Sequence, residues 1–135
     1  MADILVNIDV DDLERAIRFY TEAFGLRVGR RFGPAAVELL GAAAPFYLLV
    51  KPDGSSPSPP PAAPRDYRRH WTPVHLDFVV DDLEAAVARA EAAGARRESD
   101  IAAHPYGRIA MFADPFGHGF CLLAFTGRGY DEIAT

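Results

Sequence analysis

The sequence predicts an α+β fold built from two similar β-α-β-β-β modules related by pseudo-twofold symmetry. The motif Val10-Asp11-Asp12-Leu13-Glu14 returns 70 residues later as Val80-Asp81-Asp82-Leu83-Glu84, in a chain of 135 residues. Each copy follows an alternating apolar stretch typical of a strand and opens a stretch with helical spacing. Because two similar modules usually enclose a cleft between them, we expect the functional side chains to line that cleft.

The first half of the chain predicts a strand, a helix and three further strands. Residues 4–10 alternate apolar and polar side chains, which is the pattern of a strand. Asp11 stands where a helix N-cap is expected, with Glu14 as its capping-box partner, and Gly25 is a typical helix end. The apolar helix face consists of Leu13, Ile17, Tyr20 and Phe24. The later strands are Arg27–Phe32, Ala36–Leu40 and Phe46–Val50.

The second half predicts the same elements in the same order. Residues 74–80 form a strand, Asp81 and Glu84 repeat the cap, and Gly94 ends the helix. The apolar helix face is repeated by Leu83, Val87 and Ala90. The strands that follow are expected at residues 96–101, 108–112 and 119–125.

The predicted domain organisation is one compact domain with a proline-rich connector. The modules span residues 1–51 and 73–126, the connector spans 52–72, and 127–135 form a loosely ordered tail. The connector holds six of the eleven prolines and cannot be a helix or a central strand, so we expect a stiff, solvated, partly polyproline-like segment.

The end of the connector is basic and aromatic. Residues 65–71 read Arg-Asp-Tyr-Arg-Arg-His-Trp and could contact an anionic ligand or a nucleic acid. The alternative is a solvated linker end with Trp71 packed on the core. The acidic balance of the chain favours this alternative.

Composition and charge exclude several classes of protein. The net charge of −5 is unlike that of nucleic-acid binders, which are usually basic. No apolar run reaches the roughly 20 residues of a membrane helix. One cysteine excludes an internal disulfide, and the N-terminus has no pattern of a secretory signal, so we expect a cytoplasmic protein without a membrane or nucleic-acid partner.

These motifs resemble those of the vicinal oxygen chelate superfamily. The duplicated helix entry and the segment Phe112-Ala113-Asp114-Pro115-Phe116-Gly117 carry the resemblance, which covers about residues 3–50 and 73–126. The superfamily includes glyoxalase I, bleomycin-resistance proteins, fosfomycin-resistance enzymes and extradiol dioxygenases. The resemblance implies curved sheets around a ligand cleft with the helices outside, and a homodimer.

The metal-ligand positions of the superfamily are altered in this chain. Metal-dependent members carry a histidine on the first strand of a module and a glutamate on its last strand, and the resemblance places these positions at Leu5, Tyr47, His75 and Cys121. A catalytic metal needs about three protein ligands, so we expect no intact metal site and no cofactor, in line with the metal-free, glyoxalase-like branch. A rebuilt site for Zn, Ni, Mn or Fe, with His75 as its first candidate ligand, stays open; thiolate and imidazole would favour zinc. Further ligands could come from His104 and His118.

Six residues are predicted to bind a ligand. Period-two alternation places His75 and Asp77 on one strand face, with Leu5 and Asn7 as their counterparts in the first half. Asn7 and Asp77 would form a polar pair in the cleft, or would satisfy backbone groups at the junction of the modules. His75 would contact ligand, or would be a hydrogen-bonded remnant of a metal site. The other three are Tyr47, Arg108 and Cys121.

The last three candidates have alternative interpretations. Tyr47 could cap an aromatic ligand or donate its hydroxyl. Arg108 would select an anionic or carbonyl-rich ligand if it is buried in the cleft, and would be solvated if it lies at the strand end. Cys121 is interpreted as a small buried apolar residue; the competing hypothesis is that it is a nucleophile activated by His75. His75 and Cys121 are therefore also the candidate catalytic residues.

The sequence as a whole favours a protein that binds a small apolar or aromatic molecule. The binding site would lie in the inter-sheet cleft, without an intact metal centre. One alternative is a metal-dependent lyase, transferase or dioxygenase with a rebuilt site. The other is a non-catalytic structural or regulatory module, which would have a closed, packed cleft.

Overall fold

Two α-helices and two mixed β-sheets make up the regular structure in the computed structural model, which describes residues 1–59 and 62–135. This arrangement confirms the α+β class. The chain divides into two units, Met1–Arg68 and Arg69–Thr135, and each unit contains one helix and one sheet.

The N-terminal unit has the predicted order β-α-β-β-β. Its strands occur in the sheet as β1-β4-β3-β2, and β1 runs parallel to β4 whereas the other pairs are antiparallel. Three of its four strands have the bounds that the sequence predicts. The elements are β1 (Val6–Val10), α1 (Leu13–Phe24), β2 (Arg27–Phe32), β3 (Ala36–Leu40) and β4 (Phe46–Val50).

Helix α1 packs against only one face of this sheet. The ring of Tyr20 lies 6.5 Å from that of Phe46, and Val37, Leu39 and Leu48 are completely buried. Strand alternation then directs the side chains between these positions to the opposite face. The register aligns three of them across adjacent strands: Asn7, Tyr47 and Glu38.

The helix caps lie one residue later than predicted. The side chain of Asp12 accepts a hydrogen bond from the Arg15 backbone N–H at 3.1 Å, and that of Asp82 accepts one from Ala85 at 3.0 Å. The prediction of Asp11 and Asp81 as N-caps is therefore wrong. Since the buried leucine after each Asp-Asp pair is already helical, only the second aspartate precedes the first helical residue.

The C-terminal unit has one more strand than predicted. Its elements are β5 (Leu76–Val79), α2 (Leu83–Ala93), β6 (Arg96–Arg97), β7 (Ala102–His104), β8 (Gly107–Ala113) and β9 (Gly119–Phe125). The sheet order is β5-β9-β8-β6, with β7 also paired to β8.

The predicted strand over residues 96–101 is therefore wrong for most of its length. The Glu98 N–H still donates to the Met111 carbonyl, but the Ser99 hydroxyl accepts the hydrogen bond of the Met111 N–H at 2.9 Å. The Ser99 side chain thus takes the place of a backbone carbonyl as the partner of Met111, and the pairing of β6 with β8 ends there. The rest of β8 pairs with β7.

The tail is ordered, contrary to the expectation of a loose segment. A short 3-10 helix spans Gly129–Glu132, and the Tyr130 ring packs against Phe125 at 4.8 Å and Tyr106 at 5.2 Å. Aromatic packing on the end of β9 therefore fixes the chain after the last strand.

The connector is fixed at both ends by hydrogen bonds within the N-terminal unit. Gly54 donates to the Arg65 carbonyl and Arg65 donates to the Ser55 carbonyl, each at 2.8 Å. The Arg65 guanidinium also pairs with Asp9 at 2.7 Å. Pro60 and Pro61, part of the predicted polyproline-like stretch, lie outside the described residues. Within the described residues, no helix has the length and apolar character needed to cross a membrane.

Candidate functional site

A pocket of about 100 Å³ opens in the C-terminal unit. Its lining combines apolar, sulfur-containing and charged side chains. The lining includes Trp71, His75, Glu98, Met111, Phe120 and Cys121. The lining therefore contains two of the six predicted ligand-binding residues, His75 and Cys121, and also Trp71 from the basic and aromatic end of the connector.

Strand register brings together two lining residues, Cys121 and Met111, and places Asp77 next to Cys121. Asp77 on β5 aligns with Cys121 on β9, and Cys121 aligns with Met111 on β8. Neighbouring strands lie about 4.8 Å apart, so aligned side chains on one face are close neighbours. Helix α2 packs on β9 from the other face, where Leu122 is buried.

The rim of the pocket exposes two large apolar side chains. Trp71 is 78% exposed and Met111 is 49% exposed. The expectation that Trp71 packs on the core is therefore wrong. Tryptophan and methionine both offer large, polarisable contact surfaces, and their exposure around a concavity is typical of a binding surface.

An ion pair forms one polar wall. Arg69 donates from Nε to Glu98 Oε2 at 2.8 Å and from Nη2 to Glu98 Oε1 at 3.0 Å. Both side chains are partly exposed, and the bidentate pair lowers the pKa of Glu98 and raises that of Arg69. A Cβ at Gly119 would lie only 2.5 Å from Arg69 Nη2, so glycine leaves room for this guanidinium.

The basic residues at the end of the connector are paired with carboxylates. Arg65 bonds to Asp9, Arg68 bonds to Asp66 at 2.7 Å, and Arg69 bonds to Glu98. Their charges are therefore partly neutralised within the chain, which does not favour the interpretation of residues 65–71 as a nucleic-acid contact.

Three potential metal-ligating side chains meet at the pocket. His75 Nε2 lies 3.2 Å from Asp77 Oδ1, and donor atoms of His75, Asp77 and Cys121 lie within 4.8 Å of one another. His75 directly precedes β5, whereas Asp77 and Cys121 lie on paired strands. The sequence placed His75 and Asp77 on one face but did not identify Asp77 as a third donor.

Burial keeps Cys121 in its thiol form. Desolvation, followed by the charge and hydrogen bond of Asp77, raises the pKa of the Cys121 thiol to about 11. A thiolate is the reactive form of cysteine, so this environment argues against the hypothesis of an activated nucleophile.

The remaining predicted site residues lie elsewhere. Arg108 makes a bidentate ion pair with Glu84 in the first turn of α2, and strand alternation puts it on the face opposite Met111. Asn7 and Tyr47 belong to the N-terminal unit, where the register aligns them. Arg108 therefore stabilises the helix side of its sheet and does not line the pocket.

A buried carboxylate in the N-terminal unit was not anticipated from the sequence. Glu38 is only 5% exposed and accepts hydrogen bonds from the Arg30 guanidinium and from the Tyr47 hydroxyl, at 2.6 and 2.9 Å. These bonds lower its pKa to about 2. The one available signal was a single charged residue within the apolar strand Ala36–Leu40.

Comparisons with known proteins agree with this architecture. The family model for the glyoxalase-like domain matches residues 5–123. The fosfomycin resistance protein FosX from Listeria monocytogenes is similar over 99% of this chain and 98% of its own, at 18% identity and a TM-score of 0.73. No protein of curated function matches the sequence.

Two other solved structures are similar over nearly the whole chain. TnmS3, an antibiotic binding protein from Streptomyces sp. CB03234, is 25% identical over 93% of this chain and 97% of its own, with a TM-score of 0.66. Lactoylglutathione lyase from Agrobacterium tumefaciens is 20% identical over 91% of this chain and 92% of its own, with a TM-score of 0.63.

The donor set of this chain does not fit the metal of its manganese-binding neighbour. A FosX variant has been solved in complex with Mn(II), an ion that prefers oxygen ligands. At the four positions that the resemblance implies, Leu5 has no donor atom and the Tyr47 hydroxyl is bonded to Glu38 and Arg30. The other two positions supply imidazole and sulfur.

Proposed function

Because the chain belongs to the glyoxalase-like domain family of the vicinal oxygen chelate superfamily, we propose that it binds a small apolar or aromatic molecule. The binding site is the pocket of the C-terminal unit. Binding there does not use the His/Glu metal centre of the superfamily.

The exposure of Trp71 and Met111 beside the pocket is the observation that carries this proposal. Singly exposed apolar side chains are common on protein surfaces, but adjacent ones beside a concavity are typical of ligand and partner sites. An apolar cavity of about 150 Å³ is known to hold benzene, so the smaller pocket of about 100 Å³ accepts a ring substituent or part of a ring. The rest of a larger ligand would lie against Trp71.

Polar groups in the pocket give the ligand its orientation. Glu98 and Arg69 form one wall, and His75 with Asp77 forms another polar element beside Cys121. A few polar groups within a mainly apolar lining are the usual composition of a small-molecule site. Asn7, Tyr47 and Arg108 are not among the residues that line this pocket, and their roles as ligand contacts stay predictions from the sequence.

The similarity to TnmS3 supports binding over catalysis. That protein is described as antibiotic binding, and it is 25% identical to this chain over nearly its full length. An antibiotic or a similar small molecule is therefore a ligand class to test. A homodimer and a cytoplasmic location remain predictions that accompany this proposal.

Two alternatives stay distinct from the proposal. A metal-dependent lyase, transferase or dioxygenase would need an ion, and the group of His75, Asp77 and Cys121 is the observation that favours it. A structural or regulatory module would need no accessible pocket, and the open pocket beside Trp71 favours binding over that role.

The single tryptophan provides a direct test of ligand binding. Titration of the protein with planar aromatic compounds such as naphthoquinones and anthraquinones should give a saturable change in Trp71 fluorescence. An aliphatic alcohol of similar mass should give none. Met111→Ala should weaken binding several-fold, because each lost methylene contact removes about 0.8 kcal/mol of burial.

Ile133→Ala is the matched control variant. Ile133 is also 49% exposed but lies in the tail, so its removal should leave the titration unchanged. Linear, non-saturable quenching by all aromatic compounds, or equal losses in the two variants, would contradict the proposal.

A further inference from the structure

We propose that His75, Asp77 and Cys121 form a three-ligand site for a borderline or soft divalent cation such as Zn²⁺. All three residues belong to the C-terminal unit. The inference goes beyond ligand binding and does not depend on it, because it concerns the protein in the absence of any organic molecule.

Strand geometry places the three side chains for a common ion. Asp77 and Cys121 are aligned on adjacent strands, and His75 precedes Asp77 by two residues, which directs both to one face. The polypeptide therefore holds two ligands on the sheet itself and the third at its edge. Sites built on regular elements are more exactly positioned than sites on loops.

The distances require only small side-chain movements. With bonds of about 2.0–2.3 Å, donor atoms of a tetrahedral zinc site lie roughly 3.3–3.8 Å apart. The three donor atoms here lie within 4.8 Å of one another, so the longest separation must shorten by roughly 1.0–1.5 Å. His75 and Asp77 are partly exposed and can rotate, whereas Cys121 is held in the core.

The chemistry of the donors selects the ion. Sulfur and imidazole favour zinc and similar ions, whereas Mn²⁺ favours carboxylate, carbonyl and water ligands. A site with one sulfur, one nitrogen and one carboxylate should therefore discriminate against Mn²⁺. Three protein ligands would also leave one tetrahedral position open for water or another ligand.

Cobalt provides the clearest test of this site. Protein prepared without a histidine tag and treated with chelator would be titrated with Co²⁺ alone. We expect one equivalent to bind, with a thiolate-to-cobalt charge-transfer band and the visible spectrum of tetrahedral cobalt. Zn²⁺ should abolish both signals by displacement, and Mn²⁺ at the same concentration should not.

Single substitutions assign the ligands. Cys121→Ser should remove the charge-transfer band, since Cys121 is the only cysteine. Asp77→Asn and His75→Gln change partly exposed positions, so the variants should fold. Loss of even an outer-sphere partner of a metal ligand typically lowers metal affinity by about 10–100-fold. Asp77→Asn and His75→Gln should therefore each weaken cobalt binding at least tenfold. His104→Gln, outside the three-donor group, should bind like the unmodified protein.

Several outcomes would overturn the inference. These are the absence of a charge-transfer band at millimolar Co²⁺, its persistence in Cys121→Ser, or equal competition by Mn²⁺ and Zn²⁺. The Trp71 fluorescence titration with aromatic compounds, repeated in chelator, separates the two proposals. Ligand binding without cobalt binding refutes only the metal site, and the reverse refutes only the ligand site.

Discussion

Glu38 illustrates how a single charged residue is accommodated in an apolar strand. Its carboxylate is buried and receives hydrogen bonds from the Arg30 guanidinium, the Arg30 backbone N–H and the Tyr47 hydroxyl. Burying a charge without such partners would be strongly unfavourable. The same contacts hold the Tyr47 hydroxyl, which is why Tyr47 is a poor metal ligand here.

The Glu38 network predicts a specific dependence of stability on pH. Folding lowers the pKa of Glu38 from 4.5 to about 2. The charged form therefore stabilises the folded state fully above pH 4.5, and this contribution is lost as the pH falls from 4.5 towards 2. Unmodified protein should unfold at a higher temperature than Glu38→Gln at pH 7.

Measuring both unfolding temperatures over a series of pH values provides the control for this prediction. The difference in unfolding temperature between the two proteins should shrink steadily below pH 4.5. A difference that stays constant down to pH 3 would show that Glu38 contributes by packing and not by its charge.

Gly107 occupies a position where a larger residue cannot fit. A Cβ there would lie 2.3 Å from the carbonyl oxygen of Ala124 on the paired strand. We expect Gly107→Ala to lower the free energy of unfolding by roughly 2 kcal/mol or more, since the backbone itself must move. Denaturant unfolding measures this change.

Gly33→Ala separates this steric effect from backbone conformation. Gly33 has a positive φ of 61°, but a Cβ added there would meet nothing within 4 Å. Gly33→Ala should lower the free energy of unfolding only by the cost of holding alanine in the left-handed conformation, about 1–2 kcal/mol. If Gly107→Ala lowered the free energy of unfolding by no more than Gly33→Ala does, the proposed steric clash with the Ala124 carbonyl would be refuted.

At the scale of elements, the duplicated Asp-Asp pair provides an internal control for helix capping. Asp12 and Asp82 each accept a hydrogen bond from the third residue on, and Asp11 and Asp81 precede them outside the helices. We expect Asp12→Ala and Asp82→Ala each to lower the free energy of unfolding by about 1 kcal/mol.

The neighbouring aspartates should behave differently. Asp11→Ala and Asp81→Ala should change the free energy of unfolding by less than about 0.5 kcal/mol, because surface substitutions away from caps usually have small effects. Chemical denaturation of the four variants measures both pairs. A larger loss at Asp11 or Asp81 would restore the sequence-based assignment of the caps.

The elements that the sequence predicted well are those with clear turn signals near their ends. Strands β2, β3, β4 and β9 have the predicted bounds, because glycine and proline punctuate the sequence close to their ends. The strand over residues 96–101 failed where the Ser99 hydroxyl replaces a backbone acceptor. A hydrogen bond between residues 12 positions apart leaves no trace in local periodicity.

At the scale of the whole molecule, the repeat predicted two similar modules, and each unit has the same order of paired strands. The functional residues diverge between them. One sheet aligns Asn7, Tyr47 and Glu38, whereas the other aligns Asp77, Cys121 and Met111. Duplication therefore predicts the scaffold but not the chemistry on it.

The candidate site was only half predictable from the sequence. The motif spacing identified His75 and Cys121, which line the pocket, but Glu98 and its pairing with Arg69 were not suspected. Their ion pair joins residues 29 positions apart, and no sequence pattern encodes such a contact. The ion pair of Arg108 with Glu84 was not anticipated for the same reason, since the two residues lie on different elements.

Binding of a small molecule in the C-terminal pocket can be followed residue by residue with nuclear magnetic resonance. Isotope-labelled protein would be titrated with the aromatic compound that most strongly changes Trp71 fluorescence. We expect saturable shifts concentrated at the indole of Trp71 and the amides of His75, Glu98, Met111 and Cys121. Shifts confined to the N-terminal unit, or no saturable shift, would contradict the proposed binding site.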